Sequence, residues 1–320
     1  SGRISYVYNF RGPAMSIDTA CSSSVVTTHS ALSAIRAGEI TRAMSCGVQA
    51  LLSEHVTGVF HSSGMLAADG RCKALDVSAD GYVRGEARGV IYLEILGEDE
   101  KNDGIFLAGS CVNQDGRSSS LTAPNGPTQR VVIQTALSRA QVLRNELDQL
   151  QLHGTGTTLG DPIEFGAALG TLERSQDDSA ATFEAVKSQF GHTESAAGAV
   201  AIILAIENLS DRAKSLTFHL KSLSPHCQSL IASGVNSPVS VPKQASGINT
   251  SSCAVSGFAF QGTNANAVLT SNFECERTHP GSRNALFSRE TFWPLPWLNV
   301  HLPTFDGVRE NTFRFTAKVD

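Results

Sequence analysis

The chain of 320 residues is poor in charge, with Asp, Glu, Lys and Arg making up 17% of it against the usual share of about 25%. It carries no basic run and its net charge is −5, which argues against a general nucleic-acid binder, since such proteins show a basic excess. Long hydrophobic runs are missing too. The longest strongly apolar stretch, Ala196 to Ile206, covers 11 residues and contains Gly198; it is too short to cross a bilayer and reads as a buried helix. No charged-then-apolar leader follows Ser1, so no signal peptide is expected and a cytoplasmic chain is; the lack of an initiating Met reads as a fragment. No two of the seven cysteines form a CxxC pair, so neither a disulfide framework nor a structural zinc site is expected, and a reducing compartment is.

Hydrophobic residues supply 41% of the chain, which excludes a disordered or collagen-like sequence. Residues 1–270 repeat one texture of short apolar runs, Gly- and Ser-rich turns and amphipathic stretches. Met44–Leu52, Gly89–Leu96 and Ile105–Cys111 read as strands. Ser22–Ala37 reads as a helix stopped by Gly38, and Pro127–Val142 as a helix with Pro at its first position. Strands alternating with helices predict an α/β layered fold. The polar segment Asn113–Gly126 is long for an ordinary connection, as functional loops often are. After residue 270 the sequence turns polar and proline-dotted and holds Trp293 and Trp297. Residues 271–320 read as a linker or tail lying on a surface, more readily as a strap on its own domain than as a dock for a neighbour.

Four constellations could carry chemistry. In Ser16–Ser24 a short β-type approach ends at Cys21 and a helix follows. A thiol at a helix N-terminus meets unpaired N–H groups and the positive end of the dipole, and both favour the reactive thiolate. A small buried structural cysteine is the competing reading. In Leu152–Thr157 a strand ends at His153, and the Gly and Thr that follow allow close backbone approach to a ligand. Asp161-Pro162-Ile163-Glu164 fits a helix start, with Asp161 as N-cap and Glu164 as the reciprocal capping residue. Lys187–Glu194 places His192 before the apolar helix; Glu194 is either a partner for Lys187 or a favourable charge in the first helical turn. Phe258–Asn264 is a turn with aromatic walls whose N–H groups could serve an oxyanion hole. Cys21 and His153 lie 132 positions apart, a papain-like spacing, but the nucleophile context T-A-C-S-S is not that of those enzymes.

Together these segments resemble the β-ketoacyl synthase family, in particular the ketosynthase domains of polyketide synthases. The resemblance rests on GPAMSIDTACSSS (Gly12–Ser24), DVSADGYVRGE (Asp76–Glu86), HGTGTTLGDPIE (His153–Glu164), KSQFGHTESAAG (Lys187–Gly198) and FQGTNAN (Phe260–Asn266), in the family's order across residues 1–270. It implies a thiolase-like α/β fold in layered α-β-α-β-α order, its N-terminal half truncated here, and a homodimer or neighbouring synthase domains as partners. It implies that Cys21 takes an acyl chain as a thioester, that His153 and His192 promote decarboxylation of a malonyl-type thioester, and that Lys187 organises the site. The backbone N–H groups of Cys21 and Phe260 would form the oxyanion hole, with Thr155, Thr157 and Gly262 on the substrate side. No bound cofactor and no metal are implied, because the substrates ride on the phosphopantetheine arm of an acyl carrier protein. Ala259 and Gln261 stand where the family usually has glycines, Asn266 where it often has histidine, and Ala87 where it often has glycine. A non-catalytic partner subunit and a simple thioester hydrolase remain as competing functions.

Overall fold

The computed structural model describes residues 1–95, 104–175, 178–233, 238–244, 246–247, 250–271 and 313–317. In chain order it opens with helix α1 (Gly2–Tyr8), a 3₁₀ turn (Ala20–Ser22), α2 (Ser23–Arg36), strand β1 (Arg42–Gln49) and α3 (Glu54–Ser62). Then come β2 (Ala87–Glu94), β3 (Phe106–Gln114), α4 (Gly126–Ala140), β4 (Gln149–Gln151), α5 (Gly160–Leu169) and β5 (Ala181–Glu184). The last part holds α6 (Lys187–Phe190), a 3₁₀ turn (Glu194–Ala196), α7 (Ala197–Asp211), β6 (Ala213–Lys214), α8 (Pro225–Ala232), β7 (Val239–Ser240), β8 (Ser246–Gly247), β9 (Ser252–Phe258), β10 (Thr263–Thr270) and β11 (Phe313–Ala317).

The three predicted strands form as β1, β2 and β3, each within a few residues of its expected bounds. Helix α2 stops where expected: Gly38 takes φ +74° and donates to Ile35, a conformation a residue without Cβ adopts at little cost. Helix α4 starts at Gly126, one residue before Pro127, with Asn125 as N-cap accepting from the Thr128 N–H. Asn side chains suit this role because they accept from an N–H that the helix leaves unpaired.

Nine strands form one mixed sheet in the order β1-β2-β11-β3-β10-β9-β4-β5-β7, and β6 pairs with β8 separately. β1–β2 and β3–β10–β9 are antiparallel, whereas β9–β4–β5–β7 run parallel. The described part of the tail, β11, runs inside this sheet, parallel to both β2 and β3; Trp293 and Trp297 lie outside the described residues.

Two apolar cores flank the sheet. One packs α4 and α5 against it through Val132, Ile133, Leu137, Phe165 and Phe183, with Cys227 of α8. The other is filled by Val25, Leu32 and Ile35 of α2 and Ala199, Ile202 and Ala205 of α7, packed on β2, β3, β9 and β10. Helices α2 and α7 therefore cover one face of the sheet and α4, α5 and α8 the other, a layered α/β arrangement of the kind that alternating strands and helices predict. Helix α7 is apolar over most of its surface, with nine of its residues buried, as a helix packed on both a sheet and a neighbouring helix should be. It also needs small residues where helices cross: a Cβ on Gly198 would sit 2.3 Å from Val25 Cγ2. The residues just before α2 and just before α7 are thereby brought side by side. No described helix is long and apolar enough to cross a membrane.

Candidate active site

Cys21 sits in the 3₁₀ turn that feeds α2. The approach to it is not a strand: residues 12–19 have no partner strand, and side chains hold them in place. The Ala20 N–H donates to Asp18 Oδ1 (2.9 Å) and the Thr19 N–H to Ser23 Oγ (2.9 Å), while Ser23 Oγ donates to the Ala20 carbonyl (2.6 Å). Ala20 is forced to φ +51°, a region non-glycine residues occupy rarely and at a cost. The outcome is a sharp elbow with the thiol at its corner. Burial nevertheless pushes the Cys21 pKa up to about 12, against the lowering effect of Lys187, and Glu194 raises it further. Desolvation outweighs the helix N-terminus here, so the resting group is a thiol and not the thiolate that a helix start alone suggests.

His192 Nε2 lies 3.0 Å from Cys21 Sγ. The His153 ring stands edge-on to the His192 ring, with centroids 5.4 Å apart. The sulfur and one ring nitrogen from each histidine all lie within 4.8 Å of one another, the one such cluster of metal-ligating groups among the described residues. The Lys187 charge felt by all three side chains works against a divalent ion there. Both histidines are held well below the usual imidazole pKa, first by burial and then by Lys187, so both rings are neutral at pH 7. A neutral imidazole carries one N–H donor and one acceptor. For His192 the assignment is fixed, because the Glu194 N–H donates to Nδ1 at 3.2 Å, leaving the ring proton on Nε2, facing the sulfur. His153 Nδ1 is buried without a hydrogen-bond partner.

Lys187 is buried at the start of α6. Burial lowers its pKa, and the nearby Glu164, Cys21 and Asp161 hold it up. Its carboxylate neighbours are therefore Glu164 and Asp161, not Glu194, which forms a bidentate ion pair with Arg84 (2.5 and 3.0 Å). The capping reading of Asp161 and Glu164 also gives way. Helix α5 starts at Gly160 with Leu159 as its N-cap, and both carboxylates turn inward. Glu164 accepts from the His153 and Gly154 N–H groups, and Asp161 from the Leu75 and Gly156 N–H groups. Burial pushes Glu164 up to about 7 and Asp161 to about 6, against these hydrogen bonds and Lys187. Their work is to clamp the loop that carries His153.

That loop needs its glycine. Gly154 takes φ +45°, and a Cβ there would lie 2.8 Å from Ala185 Cβ. Thr155 and Thr157 follow with hydroxyls 3.2 Å apart, both half-buried. On the other side the β9–β10 hairpin turn holds Phe260, 46% exposed, and Gly262 at φ +93°. Gly262 donates to Ala259 and accepts from the Asp115 N–H, which ties the turn to the segment after β3. Gln261 and Gly262 line a cavity of about 400 Å³ with Gln114, Asp115, Arg117 and Ser118, so the polar Asn113–Gly126 segment does border open space beside Phe260. Asn266 is buried and donates to Ser256 Oγ (3.1 Å).

The structure thus brings Cys21, His153, His192 and Lys187 together from three separate segments and sets Phe260 and Gly262 in the turn that starts beside them. Three aromatic or charged neighbours complete the site, of which the sequence singles out only Phe258, as an aromatic wall of its turn. Phe258 packs its ring 6.0 Å from that of His153, Tyr82 packs edge-on to His192 at 4.9 Å, and Arg84 holds Glu194. Tyr82 and Arg84 do lie within the DVSADGYVRGE motif, which is the one clue to them.

Family models describing the N-terminal and C-terminal domains of β-ketoacyl synthases match residues 1–98 and 106–221. Among curated relatives, Polyketide synthase GfsB of Streptomyces halstedii is 40% identical over 306 residues, covering 92% of this chain and 5% of that protein. Erythronolide synthase EryA3 of Saccharopolyspora erythraea is 38% identical over 288 residues, covering 88% and 9%. Among solved structures, the oxazolomycin ketosynthase domain OzmH KS7 of Streptomyces albus JA3453 superposes with a TM-score of 0.79 at 31% identity, over 86% of this chain and 49% of that one. The ketosynthase from module 6 of the bacillaene synthase of Bacillus subtilis 168 gives 0.78 at 32%, over 85% and 50%. The chain therefore spans about half the length of these ketosynthases and a small part of the synthases. Sequence and fold agree, and the chain belongs to the β-ketoacyl synthase family, as a ketosynthase domain of the polyketide-synthase kind.

Proposed function

We propose that residues 1–270 form a condensing domain that extends an acyl chain by decarboxylative Claisen condensation, with residues 271–320 following as a segment that adds β11 to its sheet. The observation that carries this reading is the Cys21 Sγ to His192 Nε2 contact of 3.0 Å with His153 edge-on to it. Cys21 attacks the carbonyl of an acyl thioester; the pantetheine thiol of an acyl carrier protein leaves with the cysteine proton. A malonyl-type thioester on a second carrier then loses carbon dioxide, and the electron pair of the broken C–C bond becomes an enolate. Two neutral imidazoles suit this step because an N–H donor aimed at the developing oxyanion stabilises it without a metal. The enolate carbon attacks the Cys21 thioester carbonyl, the C–S bond breaks, and the sulfur regains a proton. The N–H groups of Cys21 and Phe260 hold the tetrahedral oxyanion, Phe260 gates the acyl chain, and Thr155, Thr157 and Gly262 border the pantetheine.

Sulfur suits a step in which an acyl group must be both taken and given up. No resident cofactor is called for, and the partners are acyl carrier protein and a second copy or neighbouring synthase domains. Intact-mass measurement after incubation with an acyl-pantetheine thioester tests the loading step: an adduct is expected in wild type and none in Cys21→Ala. His153→Ala and His192→Ala are expected to load and to fail with malonyl carrier protein. Condensation by Cys21→Ala at the wild-type rate would overturn the proposal.

A further inference from the structure

We propose that the Arg84–Glu194 ion pair is a positioning pair that holds His192 as the Nε2–H tautomer facing Cys21, an inference that rests on the condensing role of His192. His192 keeps its proton on Nε2 only while the Glu194 N–H points at Nδ1, at 3.2 Å. That direction requires Glu194 to stand at φ +41°, where a side-chain-bearing residue is strained and relaxes unless its surroundings hold it.

The holding is done by the carboxylate. Both Glu194 oxygens accept from Arg84, from Nε at 2.5 Å and from Nη2 at 3.0 Å. The guanidinium cannot swing, because Nη1 donates to Thr57 Oγ1 (2.7 Å) and the Phe60 ring lies under its carbon at 5.1 Å. The backbone of Arg84 is itself tied to the histidine: the His192 N–H donates to the Val83 carbonyl (2.7 Å) and the Gly85 N–H to the His192 carbonyl (2.9 Å). The pair thus closes a loop around His192, anchored to the backbone of the residue it orients. A bidentate guanidinium–carboxylate contact fixes direction as well as distance. It is also poorly exposed, with side chains 6% and 15% accessible, so water does not loosen it.

The tautomer decides what His192 can do. With Nδ1 occupied by a donor, Nε2 cannot accept the thiol proton; it can only donate, to the sulfur or to an oxygen brought beside it. A His192 released from Glu194 populates the other tautomer, which presents a lone pair to the enolate.

The test is nitrogen NMR of the ¹⁵N-histidine-labelled chain, with His192 assigned by its loss in His192→Ala, together with rates for Glu194→Ala and Glu194→Gly. In wild type, Nδ1 is expected to show the signature of an unprotonated nitrogen and Nε2 that of an N–H. Glu194→Ala is expected to mix the tautomers and to slow malonyl condensation by roughly 10–100-fold, the usual effect of removing an orienting partner, with acyl loading of Cys21 changed less than about threefold. Glu194→Gly separates positioning from bulk structure. Glycine occupies φ +41° without help, so this variant is expected to keep the wild-type tautomer and to condense faster than Glu194→Ala despite losing the same carboxylate. Equal or greater damage in Glu194→Gly overturns the proposal, as does a wild-type spectrum with the His192 proton on Nδ1, which needs no Glu194 variant to read. A wild-type chain that shows the Nε2–H signature and yet condenses nothing overturns the proposed function and leaves the positioning pair standing.

Discussion

Gly198→Ala is the substitution that most directly probes how the site is assembled. Gly198 lies in the first turn of α7 where it crosses α2, and an added Cβ would meet Val25 Cγ2 at 2.3 Å and both Ser24 Oγ and the Val25 backbone nitrogen at 2.9 Å. Carbon atoms rest at about 3.5–4.0 Å, so the helices must part by roughly 1 Å. Val25 is fully buried and has no free space to turn into. Alanine in a helix gains about 1 kcal/mol over glycine from propensity, while overpacking costs about 1–3 kcal/mol and occasionally more. With a backbone atom among the clashes the upper end applies, and a net loss of about 2 kcal/mol is expected in urea unfolding. The loss reaches the site as well. Parting the helices stretches the Ser24 Oγ bond to the Ala199 N–H (3.0 Å) and, beyond it, the Cys21–His192 contact, so acyl loading should slow. Val25→Ala in the Gly198→Ala background should return stability, giving a coupling energy of about 1 kcal/mol or more. A Gly198→Ala protein that is more stable than wild type by the propensity gain alone, with no coupling to Val25, would refute the close crossing.

Two further outcomes follow from the buried charges. Because burial puts the Cys21 pKa at about 12, its alkylation by iodoacetamide should climb about tenfold per pH unit from pH 7 to 10, the thiolate being the reacting form; a plateau between pH 8 and 9 would contradict this. Glu164, raised from 4.5 to about 7 mainly by burial, contributes stability that is present below pH 4.5 and lost as pH rises through 7. The unfolding free energy of Glu164→Gln should therefore gain on that of wild type between pH 4.5 and 7, by at most roughly 3 kcal/mol, and a difference that does not change with pH would remove Glu164 from this role.

Much of the site was legible before folding because its groups sit in short segments with strong local rules. Cys21 and His192 both stand just before helices, His153 follows a strand, and Gly154 and Gly262 occupy turns that need φ above zero. Misreadings came where a residue's partner is remote. Asp161-Pro162-Ile163-Glu164 has the pattern of a capping box, yet the inward face of α5 meets the His153 loop, and three N–H groups of that loop together with that of Leu75 outbid the helix end. Glu194 stands seven residues from Lys187 and looks like its partner, but Arg84, 110 positions away, reaches it first. The approach to Cys21 reads as a β-type segment but has no neighbouring strand, and side-chain hydrogen bonds hold it instead.

The sequence by itself determined the α/β alternation, the helix stop at Gly38 and the helix start beside Pro127, the family motifs and the identity of the four groups that meet in the site, because apolar periodicity, turn glycines and a proline at a helix start act within a few residues. Tertiary structure alone decided the ionisation and the tautomers. Whether Cys21 rests as thiol or thiolate depends on how much water the packed α2–α7 layer removes, and which nitrogen of His192 carries the proton depends on an ion pair closed by Arg84. Both are properties of the space around a group, set by residues that only folding brings there.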